Sequence, residues 1–187
     1  MRRAVSVLAG LVLLIAASVV PVAADTTGGG HQLTSFSSAC VDNVCTDTEV
    51  QAFTDPSGGT ACIEILTYTT DKSSFTDENG CAPAPSFTIT STLAASFGPT
   101  SIPLVLCDET TCTSSRTVVV SASDTPVGPI STTSGHTTTN DGTCTTKTKF
   151  TDQFVSVTGT YTVDGTTTAE DGSVSTHTEK SKTTCRI

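Results

Sequence analysis

The chain is poor in aromatic residues and in methionine: it has no tryptophan, two tyrosines and one methionine among 187 residues. Aliphatic residues must therefore form most of any core. Sites that bind or cleave sugars usually rely on aromatic platforms, and glycosidases use paired carboxylates beside them. The carboxylates of this sequence cluster at three places, and without tryptophan they are interpreted as turn formers and solubilising charges. The clusters are Asp42 with Asp47 and Glu49, Asp77 with Glu78, and Asp108 with Glu109.

Basic residues are also scarce, with 9 Lys and Arg against 18 Asp and Glu and a net charge of −9. Binding to a phosphate backbone needs clustered Lys and Arg, so the sequence predicts neither nucleic acid nor an anionic membrane as a partner. The acidic surplus is explained most simply as a solubility device. Attraction of basic partners is the second explanation.

Recognisable catalytic signatures are missing as well. No G-x-S-x-G motif occurs, and serine is too common for one residue to stand out as a nucleophile. The three histidines, His31, His136 and His177, have no acidic residue at metal-ligand spacing. We therefore predict no catalytic residues, no metal and no cofactor, and a protein that is not an enzyme.

The N-terminus is typical of a secretory signal peptide over residues 1–24. Arg2 and Arg3 precede an apolar run from Ala4 to Val20, and small residues precede Asp25. Its removal would change the net charge from −9 to −11, because both arginines leave. Residues 25–31, with three consecutive glycines, are predicted to form a flexible leader. We expect a secreted, extracellular protein.

The remainder, residues 32–187, alternates apolar and polar residues at the period of a β-strand and never at that of a helix. The clearest alternation places Val155, Val157, Gly159, Tyr161 and Val163 on one face. Hairpin turns are predicted at Asp164–Gly165 and Asp171–Gly172, and a loop at Asp71–Pro85. A strand is predicted over Phe87–Phe97, and Gly98–Pro99 is predicted to end it. The predicted fold is an all-β, disulfide-stabilised antiparallel two-sheet sandwich.

Eight cysteines in an exported chain predict four disulfides. Cys40–Cys45 and Cys107–Cys112 are C-x4-C pairs in which a short hairpin loop brings the two residues within bonding distance. We then pair Cys62 with Cys81 and Cys144 with Cys185. A zinc or iron–sulfur site on the C-x4-C pairs is the alternative, and an oxidising compartment disfavours it. The order of the cysteines suggests an internal duplication, 32–97 and 101–187; strand starts that happen to coincide in a Thr-rich chain are an equally good explanation.

Two resemblances bear on function. Three segments resemble small exported β-proteins of Gram-positive, especially actinobacterial, bacteria; they are Val118–Ile130, Gly142–Cys144 and Val157–Gly165. This resemblance implies export and a β-fold and carries no specific activity. The Cys107–Cys112 hairpin is similar to the tip disulfide of the enediyne-binding apoproteins, which are secreted acidic β-sandwiches. That similarity covers the hairpin alone, so no ligand-binding residues of that family are assigned.

Three functions remain open from the sequence. The first is a non-enzymatic extracellular surface or protein-interaction protein, of unknown oligomeric state. The second is a small-molecule carrier, which would need a deep apolar cavity. The third is a secreted protease inhibitor or hydrolase, for which Asp71–Pro85 is the candidate exposed loop.

Overall fold

The computed structural model describes residues 29–55, 58–107, 111–140 and 144–185. All ten elements in this part of the chain are β-strands, which confirms the predicted all-β class. They are β1 (Gly29–Val41), β2 (Val44–Asp55), β3 (Gly58–Thr69), β4 (Phe75–Pro83), β5 (Thr88–Ile89), β6 (Ala95–Cys107), β7 (Cys112–Pro126), β8 (Ser131–Asn140), β9 (Cys144–Val163) and β10 (Thr166–Cys185).

The strands form one antiparallel sheet that closes on itself. The order runs β10-β1-β2-β3-β4-β6-β7-β9-β8, and β9 also pairs with β10, so eight strands make a complete circuit. The long strand β9 uses one edge for β10 along its whole length. Its other edge pairs with β8 at residues 145–154 and with β7 at residues 157–163.

The antiparallel and disulfide-stabilised character of the predicted fold is confirmed. A division into two sheets is not evident, because hydrogen-bonded pairings connect all ten strands. Beyond the circuit, β8 and the adjoining ends of β9 and β10 form a three-stranded extension, which β1 reaches only as far as Thr178.

The inside of the closed sheet is packed with aliphatic side chains from alternate positions. Fully buried examples come from five different strands and include Leu33, Ile63, Ile102, Val118 and Val157. On β9 the predicted inward residues Val155, Val157 and Tyr161 are all buried. The Tyr161 hydroxyl lies 2.6 Å from the Ser37 hydroxyl of β1, so the polar end of this buried aromatic side chain has a hydrogen-bond partner on another strand.

Three cross-strand disulfides confirm three of the predicted pairs: Cys40–Cys45, Cys62–Cys81 and Cys107–Cys112. Each joins residues directly opposite each other in a hairpin, with Cα atoms 4.0, 4.0 and 4.1 Å apart. Cys144 is also disulfide-bonded, and its register partner on β10 is Cys185. These three bridges therefore lie within successive hairpins, and none of them crosses from one predicted half to the other.

Several predicted boundaries are wrong. The predicted loop Asp71–Pro85 contains β4, which pairs with β3 from Thr60–Pro83 to Tyr68–Phe75. The predicted strand Phe87–Phe97 is instead a short hairpin, in which the two-residue β5 pairs with the start of β6 and residues 90–94 form the connection. Phe87, Leu93 and Phe97 are buried. Gly98–Pro99 does not end a strand; β6 continues through it with a register shift between Phe97 and Thr100.

The two predicted Asp-Gly turns have different outcomes. Asp164–Gly165 closes the β9–β10 hairpin with φ values of 48° and 83°, as a type I′ turn requires. Asp171–Gly172 lies inside β10 instead. A Cβ atom on Gly172 would lie 2.2 Å from the Thr34 carbonyl oxygen, so this glycine permits close approach of β1.

The prediction of a flexible leader over residues 25–31 is wrong for Gly29–His31, which belong to β1 and pair with β10. The His31 amide donates to Thr54 Oγ1 at 3.0 Å. The predicted signal peptide and residues 25–28 lie outside the described residues. In the part of the chain that is described, no helix is long and apolar enough to cross a membrane.

Candidate functional site: a charged outer face and a buried carboxyl pair

Four carboxylates that are dispersed in the sequence lie on one outer face of β2, β3 and β4. Asp47 and Asp77 flank Leu66 in register, and Glu49 is directly opposite Glu64. Their positions alternate with inward residues such as Val50 and Ile63, so the strand period directs them outward. We call this surface, defined by Asp47, Glu49, Glu64 and Asp77, the acidic face.

Apolar side chains interrupt the acidic face. Phe36 is the register partner of Glu49 on β1 and is 49% exposed. Tyr68 and Phe75 are opposite each other at the next row beyond Asp47 and Asp77, and Phe75 is 55% exposed. Exposed aromatics among fixed charges are more typical of an interaction surface than of a uniformly solvated one.

The acids of this face repel one another. The pKa of Glu64 is raised by partial burial, and further by the negative charges of Asp77 and Glu49. Like charges directly opposite each other in a sheet destabilise it. The arrangement therefore favours any ligand that brings positive charge to this face.

A separate pair of carboxyl groups lies inside the closed sheet. Asp124 of β7 and Glu170 of β10 are both register partners of Gly159 on β9, and they are 1% and 5% exposed. Gly159 leaves room for them, since a Cβ atom there would lie 2.6 Å from Asp124 Oδ1. Ser35 of β1, fully buried, completes the cluster.

Burial raises the pKa of Asp124 to about 6, and burial together with the negative charge of Asp124 raises the pKa of Glu170 to about 8. Among the described residues, neither carboxyl group nor the Ser35 hydroxyl has a hydrogen bond of standard geometry. A carboxyl pair with raised pKa values keeps a proton at neutral pH. The carboxyl oxygens are almost completely buried, so this pair can hold a proton inside the sheet.

His177, for which the sequence predicted no acidic partner, has two acidic neighbours on the outer side of the extension. Its Nδ1 lies 2.5 Å from Asp152 Oδ1, and its Nε2 lies 3.6 Å from Glu179 Oε2. The hydrogen bond to Asp152 is the main cause of its raised pKa. Asp152 is its direct register partner from β9, a proximity that sequence spacing could not reveal.

The remaining acidic residues of the predicted clusters lie in different parts of the molecule. Asp42 is exposed in the β1–β2 turn with φ 55°. Glu78 turns away from Asp77 and accepts from Arg116 of β7. Asp108 and Glu109 lie outside the described residues. In the described ranges no group of three or more His, Cys, Asp or Glu side chains, the one around His177 included, has an arrangement that could hold a metal ion.

Two shallow recesses mark the outer surface. The larger, about 390 Å³, lies between the irregular part of β6 and the outward side chains of β7 and β9, including Ser121, Ser123 and Thr160. The other, about 270 Å³, lies on the acidic face between Glu49, Glu64 and Asn79. The second recess places a concave surface between the two opposed glutamates.

No protein-family model, curated protein or solved structure matches this chain. The resemblance to exported proteins of Gram-positive bacteria therefore remains a prediction, as does the proposed duplication. The three disulfides are compatible with an oxidising, extracellular environment.

Proposed function

We propose that the protein is a secreted, non-enzymatic interaction module that binds a basic extracellular protein through the acidic face. The observation that carries the proposal is the opposition of Glu49 and Glu64 beside exposed aromatics on one face of the closed sheet. Cross-strand disulfides at Cys40–Cys45 and Cys62–Cys81 hold the strands of this face in register. A rigid surface loses little entropy when it binds.

The side chains of the acidic face indicate what kind of partner would bind there. Rows of carboxylates separated by Leu66 and Tyr68 fit a strand or loop that alternates Lys or Arg with apolar residues. Electrostatic complementarity of this kind increases the association rate and selects partners of the right charge.

The alternatives have less support. A carrier needs an apolar cavity, whereas aliphatic side chains fill the inside of the sheet and the two recesses described above are on its outside. The inhibitor hypothesis relied on an exposed loop at Asp71–Pro85, and much of that segment is β4. The extracellular location rests on the predicted signal peptide together with the disulfides.

Binding of synthetic peptides to the oxidised protein tests the proposal. A peptide of alternating Lys and Leu should bind, and its Glu–Leu counterpart should not. The double variant E49Q/E64Q should weaken binding about tenfold, because each partly exposed ion pair contributes about 0.5–1 kcal/mol. D152N/E179Q is the matched control, since it removes two acids from the extension. Equal weakening by both variants would show that net charge alone attracts the peptide and would refute the assignment of the face.

A further inference from the structure

The extension carries a compact group of lysines on the face opposite His177. Lys147 and Lys149 of β9 are direct register partners of Lys182 and Lys180 of β10. Directly opposite residues of antiparallel strands share a face, as do residues two apart, so all four lie on the same face. We call these four residues the lysine patch.

The patch holds much of the positive charge of the chain. Lys and Arg number 9, of which Arg2 and Arg3 lie in the predicted signal peptide, so four of the other seven lie here. All four are exposed. Among the described residues none of the four makes a salt bridge, because the acids Asp152 and Glu179 face the other way and contact His177.

This arrangement opposes the stability of the sheet. Two pairs of like charges are directly opposite each other, and such pairs destabilise a β-ladder. Protection of a free sheet edge is one role for lysine in a strand. It suits Lys180 and Lys182, which lie on β10 beyond its last pairing with β1 at Thr178. It does not explain Lys147 and Lys149, because they lie on β9, the central strand of the extension.

The neighbouring side chains indicate the kind of ligand. The register places His136 and Thr138 of β8 beside Lys149 and Lys147, with Thr151 and Thr178 at the next row. These are polar groups that can hydrogen-bond to hydroxyls, and among the described residues this face of the extension has no apolar side chain that would enter a membrane. In the same described part it has no Phe, Tyr or Trp on which a nucleic-acid base would stack.

The geometry of the strands gives the patch its size. Adjacent strands lie about 4.8 Å apart and residues i and i+2 about 6.8 Å apart, so the four lysines start from a small rectangle. A thin, linear anion fits this rectangle. A broad anionic surface would also approach the acidic remainder of the protein, which repels it.

We propose that the lysine patch is a binding site for a linear anionic polysaccharide. Charge replaces the aromatic stacking that neutral sugars require, and the surrounding hydroxyl groups bond to the sugar hydroxyls. The site is on a different strand set from the acidic face, so it does not depend on the proposed protein partner.

The test uses the full secreted chain and three defined probes: a heparin oligosaccharide, an oligogalacturonate and a DNA duplex. The first two distinguish sulfate from carboxylate as the recognised group, and binding of either supports the proposal. The quadruple variant K147S/K149S/K180S/K182S should abolish measurable binding, and each single variant should weaken it about fivefold. The slope of log affinity against log salt should fall by about one per lysine removed. Lys72→Ser, in the β3–β4 turn, is the control and should bind normally.

A stability measurement keeps the result interpretable. Because the variant removes two repulsive pairs, its urea midpoint should be equal to or above that of the wild type while binding is lost. Failure of both glycans to bind would overturn the proposal, as would DNA binding as tight as glycan binding. Self-association at low salt that the quadruple variant abolishes, without glycan binding, would identify a second copy of the chain as the occupant and would also overturn it.

Discussion

Asp124 and Glu170 face each other across Gly159 inside the closed sheet. Their strands, β7 and β10, are not hydrogen-bonded to each other, and β9 lies between them. Only a residue without a side chain at position 159 allows both carboxyl groups to occupy this space. The pair thus places a titratable group in a core that is otherwise largely aliphatic.

The first prediction concerns the stability of the protein as a function of pH. Both carboxyl groups have folded-state pKa values above their ordinary ones, so the folded protein binds more protons than the unfolded chain at intermediate pH. Stability is then fully present below about pH 4 and falls as the pH rises toward 8. One proton accounts for at most about 1.4 kcal/mol per pH unit. Urea unfolding between pH 4 and pH 9 measures this slope.

The isosteric variant Glu170→Gln should reduce the slope and raise the urea midpoint at pH 8. Its control is Asp171→Asn, which changes the exposed neighbour and should leave the slope intact. If Glu170→Gln does not fold, Asp124→Asn provides the same test from the other strand. A wild-type stability that is constant between pH 5 and pH 8 would contradict this account of the pair.

The second prediction concerns Gly159 itself. Gly159→Ala would place a Cβ atom 2.2 Å from the Ser123 carbonyl oxygen, which is part of the neighbouring strand and cannot move freely. Overpacking of this kind destabilises a core by about 1–3 kcal/mol, and we expect the upper end or loss of folding. Gly30→Ala is the control, because nothing lies within 4 Å of the added atom. Equal thermal stability of the two variants would show that β7 and β9 separate easily.

Local sequence patterns predicted the strands and the hairpin disulfides. They did not predict features that depend on which distant strands pair and in what register. Alternation predicted the inward residues of β9, and cysteine spacing predicted the hairpin disulfides. The same local reasoning interpreted Asp171–Gly172 as a turn, because an isolated Asp-Gly pair has the same composition whether it turns or permits close approach of a strand. Charge clusters were the least predictable feature. Lys149 and Lys180 are 31 positions apart and meet only because β9 and β10 pair over their whole length.

The third prediction compares how much two disulfides contribute to the free energy of unfolding, given the length of the loop that each closes. Cys62 and Cys81 are separated by 19 residues and Cys40 and Cys45 by 5. On the chain-entropy model the longer loop contributes about 1 kcal/mol more, since the term grows as 1.5RT times the logarithm of loop length. Double Cys→Ser variants compared by urea unfolding give the difference. A larger loss from the shorter loop would mean that contacts of the cysteines, and not loop entropy, determine the order.

The fourth prediction concerns His177. Its pKa should lie above the ordinary value, mainly because Asp152 accepts a hydrogen bond from it and favours the protonated ring. Asp152→Asn should lower this pKa, as followed by the ring-proton shifts in an NMR titration. Asp171→Asn should not change it. Because the folded-state value is raised, the contribution of the pair to stability is present at acid pH and is lost as the pH rises through it. An unchanged titration in Asp152→Asn would exclude the contact in solution.

The last prediction concerns the junction between β4 and β6, where only three residue pairs connect the strands, from Asp77–Cys107 to Asn79–Val105. Glu78 reinforces it from β4 by reaching β7: it accepts from the Ser115 hydroxyl at 2.5 Å and from Arg116 Nη2 at 3.0 Å. The hydrogen bond from Ser115 is the main cause of the lowered pKa of Glu78.

A double-mutant cycle of Glu78→Gln and Arg116→Gln should give a coupling free energy of about 0.5–1 kcal/mol at low salt, because the pair is partly exposed. The coupling should decrease as the pH falls through the carboxyl pKa and as salt is added, since both weaken an ion pair. Hydrogen exchange of the β4 amides should accelerate in Glu78→Gln more than exchange in β9. Uniform acceleration would show that the loss is global, and the specific role of Glu78 at this junction would then be rejected.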